Sequence, residues 1–541
     1  NLSPPKYIKI TAVAIIILYL TSYYDLLALI IKRIRLHNGV FDSAMQLKPS
    51  SFWTTYFPFG LLIILVFSLT VNGHYIENPL NELDLVEEQS KHRGIDDVQD
   101  YFDAFESDTP LLISADGGGV RASFWTMLVL NELDHKTNGE AFRNTLSYSG
   151  ASGGGIGQTL YFAMHDKGLR DGKSQIIDRM GRYNFLSSDL TYWLGHDFLF
   201  SLFPLSHYNR SDALISNYLH LLYQDNQDDI RGLQYKTFRE TWNRVSEQYQ
   251  TVPLLIVNTA QSENGLRSVA SPFSKAQTEH LFPGTINILD HPRGDSTLTF
   301  FEAAFTTNRF PFYAPAAKIP GKGHFLDGGY FDNSGLTSTF DILRAWNSKN
   351  EAGDNKLNDS SALKRPLPYL VTIHNDKFWY AYAFLRDSIG LDQNLSTKHR
   401  TPLTSVLGGA AGPSLVGMPM YGLDKLDGIG PLTRDGQAIR GHFDIYLPYL
   451  LSISDIEYVL GGAIKEKNKR IEIMKRLKRH NEGLQLFLSD RSKESANQGY
   501  IIDPPLGRYL PRTVVEYMKN SLNFGTVRNE IEEVKELLLL N

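Results

Sequence analysis

The chain has 541 residues, 42% apolar and 21% charged, a globular composition that excludes an intrinsically disordered or collagen-like protein. Its 54 basic and 59 acidic residues leave a net charge of −5, with no basic excess to neutralise a phosphate backbone, so general nucleic-acid binding is excluded too. No cysteine is present, which removes disulfides, thiolate metal sites and cysteine nucleophiles together.

The N-terminus carries the sharpest composition shift. Residues 10–31 are largely apolar with a single charge, Asp25, and a helix of that length spans roughly 33 Å, enough for a bilayer core. A second uncharged run, 52–71, has Trp53, Tyr56 and Phe57 at one margin. Two such runs close together predict two transmembrane helices in a membrane region 1–75. The loop between them holds Lys32, Arg33, Arg35 and Lys48 against Asp42, while Glu77, Glu82, Asp84, Glu87 and Glu88 follow the second. By the positive-inside rule the loop is cytoplasmic and the body lies across the membrane, which for a bacterial inner-membrane protein means the periplasm.

Residues 76–105 read as a linker. From there the pattern is α/β. Strand candidates Pro110–Ala115, Thr145–Ser149, Val252–Thr259 and Tyr369–His374 alternate with helical stretches such as Ala122–Leu133 and Gly157–His165. This predicts a three-layer α/β/α body with a largely parallel central sheet. Its catalytic core is expected over 106–345, and 346–541 is expected to complete it. Asn347–Lys364 is polar and reads as an exposed insertion.

Three segments carry chemistry. Leu111–Ala122 (LLISADGGGVRA) ends a buried strand in Gly117, Gly118 and Gly119, whose backbone N–H groups can turn toward an anion, with Arg121 in the next helix. It fits G-x-G-x-x-A, but the following strand runs into a serine turn and not to a ribose-binding acid, so dinucleotide binding is rejected. Leu146–Gln158 (LSYSGASGGGIGQ) contains Gly150-Ala151-Ser152-Gly153-Gly154. A strand entering a helix through so tight a turn strains the central residue and projects its hydroxyl above the sheet. His324–Gly335 (HFLDGGYFDNSG) places Asp327 before two glycines, which by itself is an ordinary turn signal.

Together, and in this order, the three resemble the patatin-like phospholipase family: a DGGGxR loop, a G-x-S-x-G elbow and a DGG aspartate. VPLLIVNTA and Glu302–Pro315 (EAAFTTNRFPFYAP) extend the resemblance. Ala122 departs from the glycine usual after the Arg of the first motif. The resemblance implies a serine acyl hydrolase of lipase or phospholipase A type, without cofactor or metal. Ser152 would be the nucleophile and Asp327 its base. Gly117, Gly118, Gly119 and Gly153 would form the oxyanion hole, and Arg121 would lie near the loop or a lipid phosphate. The implied partners are a phospholipid or other acyl-ester lipid and the bilayer itself. Two alternatives stay open: a Ser–Asp–His triad through His374 or His324, and a non-catalytic membrane scaffold on a hydrolase fold. The apolar stretches Phe185–Leu205 and Leu403–Met420 are candidates for core or for an acyl channel.

Overall fold

The computed structural model describes residues 94–165, 172–192, 209–223, 235–249, 252–290, 296–310, 313–354, 365–389, 439–460, 462–491 and 507–539, and isolated positions at 83, 85–87, 197 and 504–505. The two predicted spans and the stretch 403–420 lie outside the described residues. Among the described residues no helix is long and apolar enough to cross a membrane.

In chain order the strands are β1 (Val86–Glu87), β2 (Leu111–Ala115), β3 (Thr145–Ala151), β4 (Leu254–Gln261), β5 (Arg267–Ala270), β6 (Ile286–Asn287), β7 (Ser296–Thr297), β8 (Ala317–Ile319), β9 (Gly323–Asp327), β10 (Tyr369–His374) and β11 (Gly441–Tyr446). The central sheet runs β11-β10-β2-β3-β4-β5-β6, and the hairpin β8–β9 joins it along β4. The five strands from β11 to β4 are all parallel. Antiparallel pairing begins at β4, with β5 on one edge and β9 on the other.

Every residue of β2 and β3 is buried. Successive strand residues face opposite sides, so the sheet is covered on both faces and its strands read as continuous apolar runs without alternation. The helices Gly119–Lys136 and Ser152–Ala163, which follow β2 and β3, pack on each other, and Leu336–Asp354 packs on β2 and β3. The result is a mixed α/β fold with a largely parallel central sheet.

Two stretches hold helix that their sequence reading did not name. Within 76–105, Val98–Asp103 is a helix capped by Asp97, with Val98 and Phe102 buried and the Phe102 ring 5.2 Å from that of Trp346. One i, i+4 apolar pair in six residues is too short a stripe to stand out as periodicity. The polar stretch 347–364, read as an exposed insertion, begins as helix. The helix begun at Leu336 runs through to Asp354, because a helix anchored by its buried first turns can carry polar residues on later ones.

Candidate active site

Sheet register brings the serine and the aspartate together. On β4, β5 occupies one edge opposite residues 257–260. The other edge is shared: β3 pairs there up to Ala151↔Asn258, and β9 takes over at Asp327↔Thr259. Ser152 follows Ala151, so the residue leaving β3 and the residue ending β9 meet over consecutive positions of one strand. Ser152 Oγ donates to Asp327 Oδ2 at 2.7 Å.

The elbow is strained as its glycine-flanked sequence predicts. Ser152 has φ 49°, a left-handed conformation costly for a residue with a Cβ. Polar contacts beneath hold it there. The Ser152 N–H donates to Thr307 Oγ1 (2.8 Å), whose own hydroxyl donates to the Asn258 carbonyl. The Asn258 amide donates to the Gly150 carbonyl at 2.9 Å. A Cβ on Gly153 would run into the Gly119 carbonyl, so only glycine lets the elbow lie against the glycine loop.

Asp327 is 1% exposed. Its second oxygen accepts the Gly329 N–H at 2.8 Å. Burial pushes its carboxyl up to about 6, opposed by the Ser152 and Gly329 hydrogen bonds and by the charge of Arg508.

The loop 117–119 borders the serine: a Cβ on Gly117 would stand 2.9 Å from that of Ser152. Gly119 has φ 61°, and the Val120 N–H behind it donates to Gly507 O at 2.9 Å. Asn375 Nδ2 donates to the carbonyls of Asp116 and Gly117, both at 3.1 Å. A trans peptide points its N–H away from its C=O, so fixing the Gly117 carbonyl aims the Gly118 N–H the other way. The N–H groups of Gly118, Gly119 and Gly153 have no hydrogen-bond partner among the described residues.

Arg121 follows the glycine loop in the first turn of the helix Gly119–Lys136. It is buried, with Nε donating to Asn375 Oδ1 (3.0 Å), Nη1 to Pro504 O (3.0 Å), and Nη2 3.5 Å from Asp376 Oδ2. Nε and Nη1 thus tie the end of β10 to the chain near residue 504, while Nη2 makes no hydrogen bond among the described residues.

The histidines of the alternative triad meet other groups. His374 Nδ1 lies 2.7 Å from Asp116 Oδ2, and its Nε2 is 3.1 Å from Thr372 Oγ1 and 3.3 Å from Asp444 Oδ1. Burial pulls its pKa down, but the two carboxylates outweigh that and push it up to about 10. A histidine protonated at neutral pH is no general base. His324 Nδ1 is 2.8 Å from Glu263 Oε1. Neither touches Ser152 or Asp327 among the described contacts. No cluster of three metal-ligating side chains forms among the described residues.

Sequence reasoning missed Thr307, Asn258 and Asn375. Thr307 lies inside Glu302–Pro315, so the stretch was noticed but its role was not. Nothing local marks an asparagine whose partners are carbonyls more than a hundred residues away.

No curated protein matches the chain by sequence. A solved structure of human GIVD cytosolic phospholipase A2 in complex with methyl gamma-linolenyl fluorophosphonate is similar, at 13% identity and a TM-score of 0.36, over 87% of this chain and 61% of that one. VipD from Legionella pneumophila is similar at 12% identity and a TM-score of 0.24, over 77% and 74% of the two chains. This chain therefore spans less than two thirds of the length of the first of these. Residues 113–340 match the model of the patatin-like phospholipase family, so the stretch from β2 through Ser152 and Asp327 into the Leu336 helix is a patatin-like phospholipase domain.

Proposed function

We propose that the protein is a serine acyl hydrolase that cleaves fatty acyl esters of membrane lipids with a Ser152–Asp327 dyad. The observation that carries this is the 2.7 Å hydrogen bond from a strained elbow serine to a buried carboxylate. Asp327 takes the Ser152 proton as Oγ attacks the acyl carbonyl carbon. Burial raises its basicity toward that of a histidine, which supports the role. Negative charge then develops on the former carbonyl oxygen. The N–H groups of Gly118, Gly119 and Gly153, partnerless among the described residues, are suited to receive it, with Gly117 allowing the close approach. The tetrahedral intermediate collapses, the alcohol leaves with the proton from Asp327, and water releases the acyl group by the same steps.

A non-catalytic scaffold has no use for a strained serine beside a costly buried carboxylate. The experiment is labelling by a fluorophosphonate probe in wild type and Ser152→Ala. Labelling and lipid hydrolysis are both expected to vanish in the variant while its melting temperature stays near wild type; hydrolysis persisting in Ser152→Ala would refute the nucleophile assignment. Anchoring by the two apolar runs, with the body opposite the Lys32–Lys48 loop, is part of the same proposal and rests on sequence alone. Reporter fusions after Asn541 test it: cytosolic fluorescence with silent alkaline phosphatase would reverse the orientation.

A further inference from the structure

The parallel pairing of β2 and β10 ends level, at Ala115↔Ile373, and the Asp116 N–H donates to the Ile373 carbonyl at 3.0 Å. The residues that follow β10 therefore stand beside the glycine loop that follows β2. His374 turns to the Asp116 carboxylate, and Asn375 turns to the loop backbone. Asn375 is buried, and its own carbonyl accepts the Tyr449 hydroxyl at 2.7 Å, which fixes its backbone.

A carboxamide can present either end to the loop, and the two choices have opposite effects. Nδ2 donates, and it reaches the carbonyls of Asp116 and Gly117. Turned over, Oδ1 would face those same carbonyls, acceptor against acceptor. The choice is made at the other end of the amide. Arg121 Nε lies 3.0 Å from Oδ1, and a guanidinium only donates, so only the amide oxygen can face it. Arg121 is itself held, with Nη1 donating to the Pro504 carbonyl at 3.0 Å. The loop lies directly against this amide. Gly118 has φ 151°, and a Cβ there would stand 2.3 Å from Asn375 Oδ1. Asn375, Tyr449 and Pro504 all lie beyond residues 113–340, the stretch that matches the family model.

We propose that Arg121 and Asn375 are positioning residues of the oxyanion hole. Arg121 sets which end of the Asn375 amide faces the glycine loop, and that amide aims the Gly118 N–H at the reacting oxygen. The inference rests on the acyl-hydrolase reading and extends it to residues that do not touch the substrate. It makes the hole depend on chain well outside the patatin-like domain. The contribution of both side chains falls in the transition state, because negative charge reaches the oxygen only there.

The test measures kcat and KM on a phospholipid and on a p-nitrophenyl ester of the same acyl chain. The proteins are wild type, Arg121→Met, Arg121→Lys and Asn375→Asp, the last keeping the shape and the Arg121 partner while losing both donors. Asn375→Ala stands in if the aspartate variant does not fold. Turnover should fall about 10–100-fold in Arg121→Met and Asn375→Asp, equally on both esters and with KM little changed. Arg121→Lys, which still donates, should recover part of it. A loss confined to the phospholipid makes Arg121 a headgroup ligand and overturns the positioning role, as does wild-type turnover in both variants. A thiono ester puts sulfur, a weak acceptor, where the oxyanion would form. The oxo-over-thiono ratio of kcat/KM should therefore shrink about tenfold in Arg121→Met and Asn375→Asp. An unchanged ratio means that folded enzyme was lost and not oxyanion alignment, and it overturns the proposal. Hydrogen exchange supplies an arm that needs no activity. Exchange in a peptide spanning 116–123 should quicken in Arg121→Met, with the elbow peptide 150–158 as the internal reference. If wild-type Ser152 takes no fluorophosphonate, the acyl-hydrolase reading fails separately and exchange decides. Loop exchange equal in wild type and Arg121→Met then overturns the link from Arg121 to the loop.

Discussion

The glycine loop 117–119 divides two buried ionic clusters that use their charges in opposite ways. On one side Asp327 receives one hydroxyl and one backbone N–H, and its pKa is raised to about 6. On the other, His374 lies between the carboxylates of Asp116 and Asp444, with His442 Nε2 a further 3.0 Å from Asp444 Oδ1. There the imidazole is pushed up to about 10, and despite burial the two histidines hold the Asp444 carboxyl well below the usual range. The second cluster is mutually neutralised and anchors the residue before the loop. The first is left short of partners, and that deficit keeps its carboxylate basic. Stability is gained at the paired cluster and given up at the buried Asp327.

Asp327→Asn should separate these roles most widely. Turnover is expected to fall about 10³–10⁴-fold, because an amide cannot take the serine proton. Stability should move the other way. A raised carboxyl pKa means that the native state binds its proton more tightly than the unfolded chain, so stability falls as pH rises from the unfolded value to about 6. Above that, the ionised carboxylate costs on the order of 3 kcal/mol, which the amide avoids. Melting at pH 8 and pH 5 checks this: the variant should gain on wild type at pH 8 and keep only about half of that gain at pH 5.

His374→Gln probes the paired cluster and should do the reverse. Removing the cation leaves Asp116 and Asp444 facing each other without it, a loss of about 3–5 kcal/mol. The raised histidine pKa makes this contribution complete below the unfolded value near 6.5 and lost as pH rises through about 10. The melting difference from wild type should therefore shrink in alkaline buffer. If folded His374→Gln loses as much turnover as Asp327→Asn, the dyad gives way to the triad.

A smaller effect is the pH profile itself. With Asp327 as base, kcat/KM should rise tenfold per pH unit below about 6 and level off above it. A limb that stays in place in Asp327→Asn would assign the titration to another group. The smallest expected difference lies in the elbow. Ser152 adopts φ 49°, so Ser152→Gly should melt above Ser152→Ala by about 1 kcal/mol of stability, although both are inactive.

Much of the site was legible because its chemistry is written in short segments. Ser152 and Asp327 each lie in a glycine-flanked turn at a strand end, where local sterics dictate the residue types. Arg121 was legible as part of its motif, but its partners Asn375, Asp376 and Pro504 were not, since they lie more than 250 residues away. His374 shows the converse. Ser…Asp…His order permits a triad, yet its register beside β2 and β11 delivers the ring to Asp116 and Asp444.

Composition and local pattern by themselves determined the α/β class, the parallel strands read as unbroken apolar runs, the strained serine turn and the glycine loop. These follow from sterics and burial acting over a few residues. Only the tertiary structure decided which charges remain unpaired. That depends on β9 taking over the β4 edge one residue past β3, and on Gly507 carrying Arg508 to the glycine loop. A hydrogen bond requires two groups to meet, and which groups meet is settled by strand register and packing across the whole chain.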